Sequence, residues 1–166
     1  MIFVTIGTQE PFDRLIAAMD NISLKLGIEV VAQVSSRSKL KVKNMKTLDF
    51  ISPSDFDTFF NKADLIVAHA GMGTIISALV NKKPLIVLAR EKKLMEHRSD
   101  HQIATANYLE ELGYLNVARD VDELEIKILD FINNNRINNM PSIGNFASNS
   151  LINSIRQDIG LSKIII

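Results

Sequence analysis

The sequence contains no cysteine, which excludes both disulfide bridges and thiolate metal sites. It has no excess charge of either sign, because 19 lysines and arginines balance 19 aspartates and glutamates. This neutral balance argues against the broad positive field that bulk binding of nucleic acid requires. No apolar run approaches the roughly 20 residues of a membrane-spanning helix, and the apolar start at residues 1–6 is too short for a signal peptide. We therefore expect a soluble protein, compatible with the reducing cytoplasm.

The length and composition of the chain are those of one ordinary globular domain. With 166 residues, of which 46% are hydrophobic and 23% charged, the chain has enough apolar side chains for a core but little room for a second domain. We find no internal repeat and no domain boundary. The sequence therefore predicts a single domain over residues 1–166, with a C-terminal helix and tail at about 141–166.

Short apolar runs alternate with segments of helical periodicity along most of the chain. Strands are predicted at residues 2–6, 28–34, 48–51, 65–68, 84–89 and 114–118. Helices are predicted at residues 11–26, 56–61, 74–80, 100–112 and 121–132, with a polar connector at 133–140 before a last helix. This alternation predicts an α/β fold, a Rossmann-like parallel sheet with helices on both faces. Because such sheets bind ligands at the carboxyl ends of their strands, we expect function in the loops after the first, fourth and fifth strands.

The loop after the fourth strand combines glycine with a helix start. Gly71 and Gly73 allow close approach of a ligand to the backbone, and Thr74 is suited to cap the following helix. The amide groups and dipole of a helix start form an anion site. A lone G-x-G is weak evidence, however, and a turn that serves only tight strand-to-helix packing explains the pattern equally well.

The loop after the first strand, which contains Gly7 and Thr8, is a second candidate. A dinucleotide-binding fingerprint would need three glycines here and an acidic residue at the end of the second strand, where Ser35 and Ser36 stand instead. The G-K-[ST] of a Walker phosphate loop is absent from the whole sequence. These patterns argue against an NAD, FAD or P-loop site.

The segment from Glu96 to Gln102 is rich in hydrogen-bonding side chains. His97, Asp100 and His101 make a metal site conceivable, but their spacing matches no strong zinc motif. Asp100 is also suited to cap the helix that follows. Glutamine, histidine and carboxylate groups together supply donors and acceptors, so we favour a site for sugar hydroxyls.

Taken in order along the chain, these segments resemble the C-terminal domain of family 28 glycosyltransferases. The resemblance covers residues 2 to about 130. Residues 4–8 and 12–16 resemble the family's opening strand, loop and helix, and residues 63–75 and 83–87 resemble its signature segment. Residues 96–97 and 100–102 resemble its sugar-recognition loop. It is most similar to the short stand-alone members, such as the donor-binding subunits of bacterial capsular and exopolysaccharide transferases or of the dolichol-pathway transferase. The fold it implies is the C-terminal half of a two-domain GT-B enzyme.

The resemblance assigns donor-binding roles by position. These fall on Gly7, Thr8, His69, Gly71, Gly73, Thr74, Glu96, His97, Asp100, His101 and Gln102. The glycine loop would hold the diphosphate, and His101 with Gln102 would contact the sugar. The sequence does not assign the catalytic base: it belongs either to the partner or to His69, the best local candidate, although His69 suits the phosphate loop better. One departure is Ser77, where many members have a carboxylate that binds the ribose hydroxyls.

The activity implied by the resemblance is an inverting, metal-independent transfer of a hexose from a UDP-sugar donor, with no cofactor. The acceptor would be a sugar linked to polyprenyl diphosphate, held by a membrane-associated partner subunit that recruits this cytoplasmic chain to the inner face of the membrane. The alternatives are a non-catalytic nucleotide-binding or enhancer subunit of another transferase and, less well suited to 166 residues, a nucleotide-sugar epimerase of the same fold.

The end of the chain is a candidate for contact with that partner. Leu151, Ile152, Ile155 and Ile159 form a helical stripe, and three isoleucines follow at 164–166. The stripe is explained equally well as a cover for the domain's own sheet. The terminal isoleucines fit that explanation less well, because chain ends are usually disordered unless they are tied down, and exposed apolar ends mark interfaces.

Overall fold

The computed structural model describes residues 1–8, 10–38, 40–49, 51–134, 142–144 and 146–159. Its strands are β1 Ile2–Thr5, β2 Val30–Gln33, β3 Lys46–Leu48, β4 Leu65–Ala68, β5 Leu85–Leu88 and β6 Asn116–Ala118. Its α-helices are α1 Asp13–Leu26, α2 Pro53–Lys62, α3 Met72–Val80, α4 His101–Glu111, α5 Val121–Asn134 and α6 Asn149–Asp158. None of the helices in these ranges combines the length and apolar character needed to span a bilayer.

All six strands form one parallel sheet in the order β3-β2-β1-β4-β5-β6. This is the strand order of a doubly wound Rossmann-type sheet, and it confirms the predicted fold class. The direction of strand succession changes between β1 and β4, because β2 and β3 lie on one side of this pair and β5 and β6 on the other. The loops after β1 and β4 therefore meet at the topological switch point, where open α/β sheets bind ligands.

The hydrophobic core consists of two layers, one on each face of the sheet. Side chains of α1 and α5, such as Met19 and Ile128, fill one layer. Side chains of α2, α3 and α4, such as Phe60 and Ile75, fill the other. The central strands β1, β2, β4 and β5 are buried throughout because both of their faces are covered.

Local chemistry explains several helix boundaries. α1 ends at Gly27, whose φ of 62° is left-handed, as the sequence predicts. α2 begins earlier than predicted because the Ser52 hydroxyl caps it by accepting from the Asp55 amide and Pro53 occupies the first turn. α5 continues to Asn134, so the predicted polar connector begins two residues too early. Its remainder, residues 135–140, lies outside the described residues.

The C-terminal helix α6 does not bury its apolar stripe. Ser148 caps the helix by accepting from the Leu151 amide, yet Leu151, Ile155 and Ile159 are 52%, 50% and 63% exposed. The hypothesis that this stripe covers the domain's own sheet is therefore wrong for these three side chains. The isoleucines at 164–166 lie outside the described residues.

Candidate functional site

A cavity of about 310 Å³ lies at the carboxyl ends of β1 and β4, at the switch point of the sheet. Its lining residues are Ile6, Gly7, Thr8, Glu10, His69, Gly71, Gly73, Thr74, Arg90, His97 and Gln102. The structure thus brings together eight of the predicted site residues: Gly7, Thr8, His69, Gly71, Gly73, Thr74, His97 and Gln102. Glu96, Asp100 and His101 do not line this cavity.

The floor of the cavity includes the N-terminus of α3. Gly71 occupies the N-cap position and has no side chain that could cap the helix. The first hydrogen bond of the helix runs from the Ile75 amide to the Gly71 carbonyl. The amides of residues 72–74 therefore have no partner within the helix, which is the usual origin of an anion site. A Cβ added to Gly73 would meet no atom within 4 Å. Position 73 therefore faces open space, and tight packing does not explain its glycine.

Gly71 has a different role, because it lies against the imidazole of His69. A Cβ at Gly71 would be 2.3 Å from His69 Nε2, and a Cβ at Gly7 would be 3.1 Å from His69 Cε1. Gly7 also has a φ of 74°, in the left-handed region that favours glycine. The two glycines leave room for the His69 ring between the loops after β1 and β4.

The His69 ring is neutral at pH 7. Burial, aided by the positive charge of Arg90, lowers the pKa of His69 to about 4. Its buried Nδ1 makes no hydrogen bond of normal geometry within the described residues, although the nearby Thr5 backbone partly offsets the fall in the pKa. A neutral imidazole at this place offers a ligand a hydrogen bond but adds no positive charge.

Arg90 is the buried cation of the site, with only 2% of its surface exposed. Its guanidinium donates to the carbonyls of Ile6, Glu10 and Pro11 at 2.8, 2.7 and 3.2 Å. It also lies 5.0 Å from the centroid of the Phe12 ring. Although burial lowers its pKa, an arginine stays protonated in proteins, so the loop after β1 is fixed to β5 by a positive charge at the cavity wall.

Gln102 connects the same wall to α4. It is 6% exposed, and its Oε1 accepts the backbone amide of Arg90 at 3.2 Å. Its side-chain nitrogen makes no hydrogen bond to any residue that the structure describes. Because Gln102 lines the cavity, that donor is available to a ligand.

Glu96 is held by Arg14 rather than directed at the cavity. Arg14 Nε and Nη2 donate to the two carboxylate oxygens at 2.7 and 2.8 Å, and Nη2 also donates to the Ala89 carbonyl at 2.9 Å. Glu96 Oε2 in turn accepts the Glu91 amide at 3.0 Å. The hydrogen bond from Arg14 to Glu96 raises the pKa of Arg14, and the two-point contact fixes the 91–100 loop on α1.

Asp100 and His101 also have local partners. Asp100 occupies the N-cap position of α4, but its carboxylate accepts the Lys92 amide at 2.7 Å and does not cap the helix. His101 Nδ1 is 2.7 Å from the Ser99 hydroxyl, and its ring meets that of His97 edge-on at 4.6 Å. Within the described ranges no group of three or more His, Asp or Glu side chains is arranged to hold a metal ion. The three residues of the conceivable metal site are thus not brought together as ligands.

A family model matches this chain over nearly its whole length: the glycosyltransferase family 28 C-terminal domain matches residues 1–155. The chain belongs to glycosyltransferase family 28. This confirms the resemblance drawn from the sequence, and nine of the eleven residues that line the cavity lie in the segments that gave rise to it.

Curated relatives are similar to this chain over part of their length. One is the "UDP-N-acetylglucosamine transferase subunit ALG13" of Candida albicans, 34% identical over 124 residues, which are 75% of this chain and 38% of the relative. Proteins of the same name from Debaryomyces hansenii and Homo sapiens are 29% and 32% identical over 57% and 69% of this chain, which are 49% and 10% of those relatives. The chain thus spans less than half the length of these relatives. Because they carry this name, they do not support the capsular and exopolysaccharide part of the sequence prediction.

Solved structures share the fold. An NMR structure of ALG13 has a TM-score of 0.57 at 18% identity and covers 93% of both chains. MurG from Acinetobacter baumannii has a TM-score of 0.59 at 17% identity, with 80% of this chain matching 41% of that one. The UDP-GlcNAc 2-epimerase of Methanocaldococcus jannaschii has a TM-score of 0.61 at 13% identity, with 97% of this chain matching 45% of that one. The fold is that of the C-terminal half of a GT-B glycosyltransferase, as the sequence predicted.

The site residues predicted from the sequence do not include Arg90, Arg14 or Glu10. Four cations lie in or near the 96–102 segment and could offset phosphate charge, although a solvated basic face explains each of them at least as well: Arg90, Lys92, Lys93 and Arg98. That explanation is wrong for Arg90, whereas the other three are exposed. The position of Arg90, directly after an apolar strand and at the carboxyl edge of the sheet, was the available signal.

Proposed function

We propose that this chain binds a UDP-sugar in the cavity at the switch point, with the diphosphate at the N-terminus of α3. The observation that carries the proposal is the open position of Gly73, beside amides that have no partner within the helix. The positive charge of Arg90 at the cavity wall supports it. The donor amide of Gln102 is suited to a sugar hydroxyl or amide.

We propose UDP-N-acetylglucosamine as the first donor to test. The names of the relatives supply this candidate. The cavity of about 310 Å³ is near the lower bound of ligand pockets, which measure roughly 300–1,000 Å³. A cavity of this size favours a donor that is bound partly by this chain and partly by a second domain on the other side of the cleft.

The proposed reaction is an inverting transfer without metal. The acceptor hydroxyl oxygen attacks the anomeric carbon of the donor sugar, the bond from that carbon to the diphosphate oxygen breaks, and a general base takes the hydroxyl proton. Amides of residues 72–74 and Arg90 would stabilise the charge that develops on the departing UDP. His69 is a weak base at a pKa of about 4, far from the operating pH that favours general bases, so we assign it to hydrogen bonding with the donor.

We propose that the acceptor is a sugar on polyprenyl diphosphate, held by a membrane-associated partner subunit at the cytoplasmic face. The word "subunit" in the names of the relatives supports a heteromer. The exposed apolar stripe of α6 offers a contact surface, because large apolar side chains left on a surface mark interaction sites.

Calorimetry with UDP-N-acetylglucosamine, UDP and GDP-mannose, each with and without EDTA, tests the proposal. We expect binding of the two uridine ligands, unaffected by EDTA, and no binding of GDP-mannose. Strict dependence on a divalent ion would contradict the metal-free mechanism. A transfer assay with the partner present then separates an active donor subunit from a non-catalytic one, since only the former requires an intact Gly73 for transfer.

A further inference from the structure

The charges of this neutral chain are unevenly distributed. Between Glu29 and Asp49 there are five cations and no acidic residue. All 19 acidic residues therefore lie outside this segment, where only 14 cations remain. One segment is therefore strongly basic within a domain that is otherwise acidic.

Four of these cations form what we call the basic ridge: Arg37, Lys41, Lys43 and Lys46. The fifth, Lys39, lies outside the described residues. Three of the ridge residues lie in the connection from β2 to β3, which runs beside α1 and has no helix in its described part, and Lys46 is the first residue of β3. All four side chains are exposed.

The backbone of the ridge is fixed while its charges remain accessible. Asp20 of α1 accepts the amides of Lys43 and Asn44 at 3.2 and 2.7 Å, and the Ser23 hydroxyl donates to the Asn44 carbonyl at 2.9 Å. Val42 and Met45 pack against the core. The ammonium groups of Lys41 and Lys43 have no ion-pair partner in the described part of the chain. Because the carboxylate of Asp20 is used on backbone amides, it does not pair with them.

Protection of the sheet edge explains only one of these cations. Lysine on an edge strand discourages pairing with other strands, and Lys46 lies on the edge strand β3. Its Nζ is also 5.6 Å from the centroid of the Phe59 ring. Arg37, Lys41 and Lys43 precede the strand and protect no edge.

The chemistry of the ridge favours an anionic surface over a nucleic acid. Residues 37–46 include no aromatic side chain on which a base could stack. Cations displayed on a fixed backbone are suited to the headgroups of anionic lipids, which attract basic segments within a Debye length. The net negative charge of the rest of the domain would be repelled by the same surface, which favours an approach with the ridge first.

We propose that the basic ridge docks this domain on an anionic lipid surface. The ridge starts at the rim of the cavity, since Arg37 Nη1 is 3.4 Å from a carboxylate oxygen of Glu10, a lining residue, and the Ser38 hydroxyl donates to Asp13 at the start of α1 at 2.6 Å. Docking therefore holds the cavity mouth beside the membrane. This inference does not depend on which donor the cavity binds.

Co-sedimentation with vesicles tests the proposal. We expect the chain to bind phosphatidylcholine vesicles that contain phosphatidylserine, to ignore vesicles of phosphatidylcholine alone, and to dissociate as salt is raised. The double variant Lys41→Gln/Lys43→Gln should bind about 30-fold more weakly, since each lysine near an anionic surface contributes about a fivefold factor. The matched control is Lys62→Gln/Lys82→Gln, which removes two exposed cations that lie outside the ridge.

Each outcome bears on the proposal. Binding that is lost in the ridge variant and kept in the control, with the unfolding curve and UDP affinity of both variants unchanged, supports it. Equal losses in both variants would show that net charge alone matters and would overturn it. No vesicle binding by the parent chain, or binding of polyuridylate as tight as that of the vesicles, would also overturn it. UDP binding and vesicle binding are measured independently. A wrong membrane-docking proposal can therefore be told apart from a wrong donor-site proposal.

Discussion

A Cβ atom on Gly71 would lie 2.3 Å from Nε2 of His69, so the imidazole occupies the space that any side chain at position 71 would need. A Cβ on Gly73, two residues later, would meet no atom within 4 Å apart from its own neighbours and helix backbone. The two glycines of one short motif thus have separate roles. Gly71 makes room for a side chain of the protein, whereas Gly73 borders open space, where we propose that the diphosphate binds.

Substitutions at Gly73 should separate stability from binding. Gly73 is the second residue of α3, so Gly73→Ala should leave the free energy of unfolding unchanged or raise it by up to about 1 kcal/mol. Gly73→Asp should also fold, because a carboxylate suits a helix N-terminus. That carboxylate would occupy the anion site, and we expect UDP affinity to fall by at least about 100-fold, since like charges about 4 Å apart repel by several kcal/mol. Chemical denaturation and calorimetry measure the two effects.

Gly71→Ala is the comparison for stability alone: it should cost about 1–3 kcal/mol by displacing His69, whereas Gly73→Ala should cost nothing. Wild-type UDP affinity in Gly73→Asp would contradict the phosphate role of this loop.

The stability of the domain should depend on pH through His69. Its pKa is about 4 in the folded state and about 6.5 when unfolded, so the unfolded chain binds the proton more tightly between these values. The free energy of unfolding should therefore decrease as the pH falls from 6.5 towards 4, by about 3 kcal/mol from this residue. Denaturation of the parent chain and of His69→Gln at pH 7 and pH 4.5 measures the difference. An equal decrease in both proteins would show that other groups are responsible.

The pairing of Arg14 with Glu96 should support both folding and donor binding. Glu96→Gln removes the charge of a largely buried, bidentate pair, whose side chains are 20% and 11% exposed. We expect a loss of roughly 2 kcal/mol, less than that of fully buried pairs, together with weaker UDP-sugar binding because the 91–100 loop loses its anchor on α1. Glu125→Gln, which breaks the exposed pair with Lys25, is the control and should change stability by less than about 1 kcal/mol. Similar losses in both variants would contradict the anchoring role.

How far the sequence predicts this structure depends on where the deciding contacts lie. The strand Leu65–Ala68 and the end of α1 at Gly27 follow from local apolar pattern and glycine chemistry, and both were correct. The third strand begins two residues earlier than predicted. Lys46 and Thr47 are exposed on an edge strand and therefore give no apolar run in the sequence. Such exposure is decided by the sheet and not by the local sequence.

The candidate site likewise combines features that follow from the local sequence with features that depend on distant contacts. The glycine loop was recognisable because its residues are consecutive. The partners of Glu96 and Arg90 could not be recognised from the sequence, because they lie far away along the chain. Arg14 precedes Glu96 by 82 residues, and Ile6 precedes Arg90 by 84. A charged side chain on a loop is usually solvated, and only the folded contacts reveal that Arg90 is buried. The role of Glu96 as a loop anchor likewise depends on α1.

The apolar stripe of α6 should matter for partner binding but not for folding. Leu151→Ala/Ile155→Ala removes two half-exposed side chains while preserving helix propensity. We expect an unchanged unfolding transition and UDP affinity, weaker co-purification with the acceptor-binding subunit, and slower transfer. Asn153→Ala/Gln157→Ala changes exposed polar positions of the same helix and serves as the control. Undiminished complex formation in the Leu151/Ile155 variant would refute the docking role.

The central claim is that the amides at the N-terminus of α3 hold the diphosphate of a UDP-sugar. An NMR titration of the labelled chain with UDP-N-acetylglucosamine tests it most directly, because each backbone amide reports its own surroundings. We predict that the largest shifts fall on the amides of Met72, Gly73 and Thr74, with smaller ones at Gly7 and Gln102. A second cavity of about 280 Å³, lined in part by Asn107 and Arg119, supplies the contrasting outcome. Shifts concentrated around that cavity, with the three α3 amides unmoved, would contradict the account.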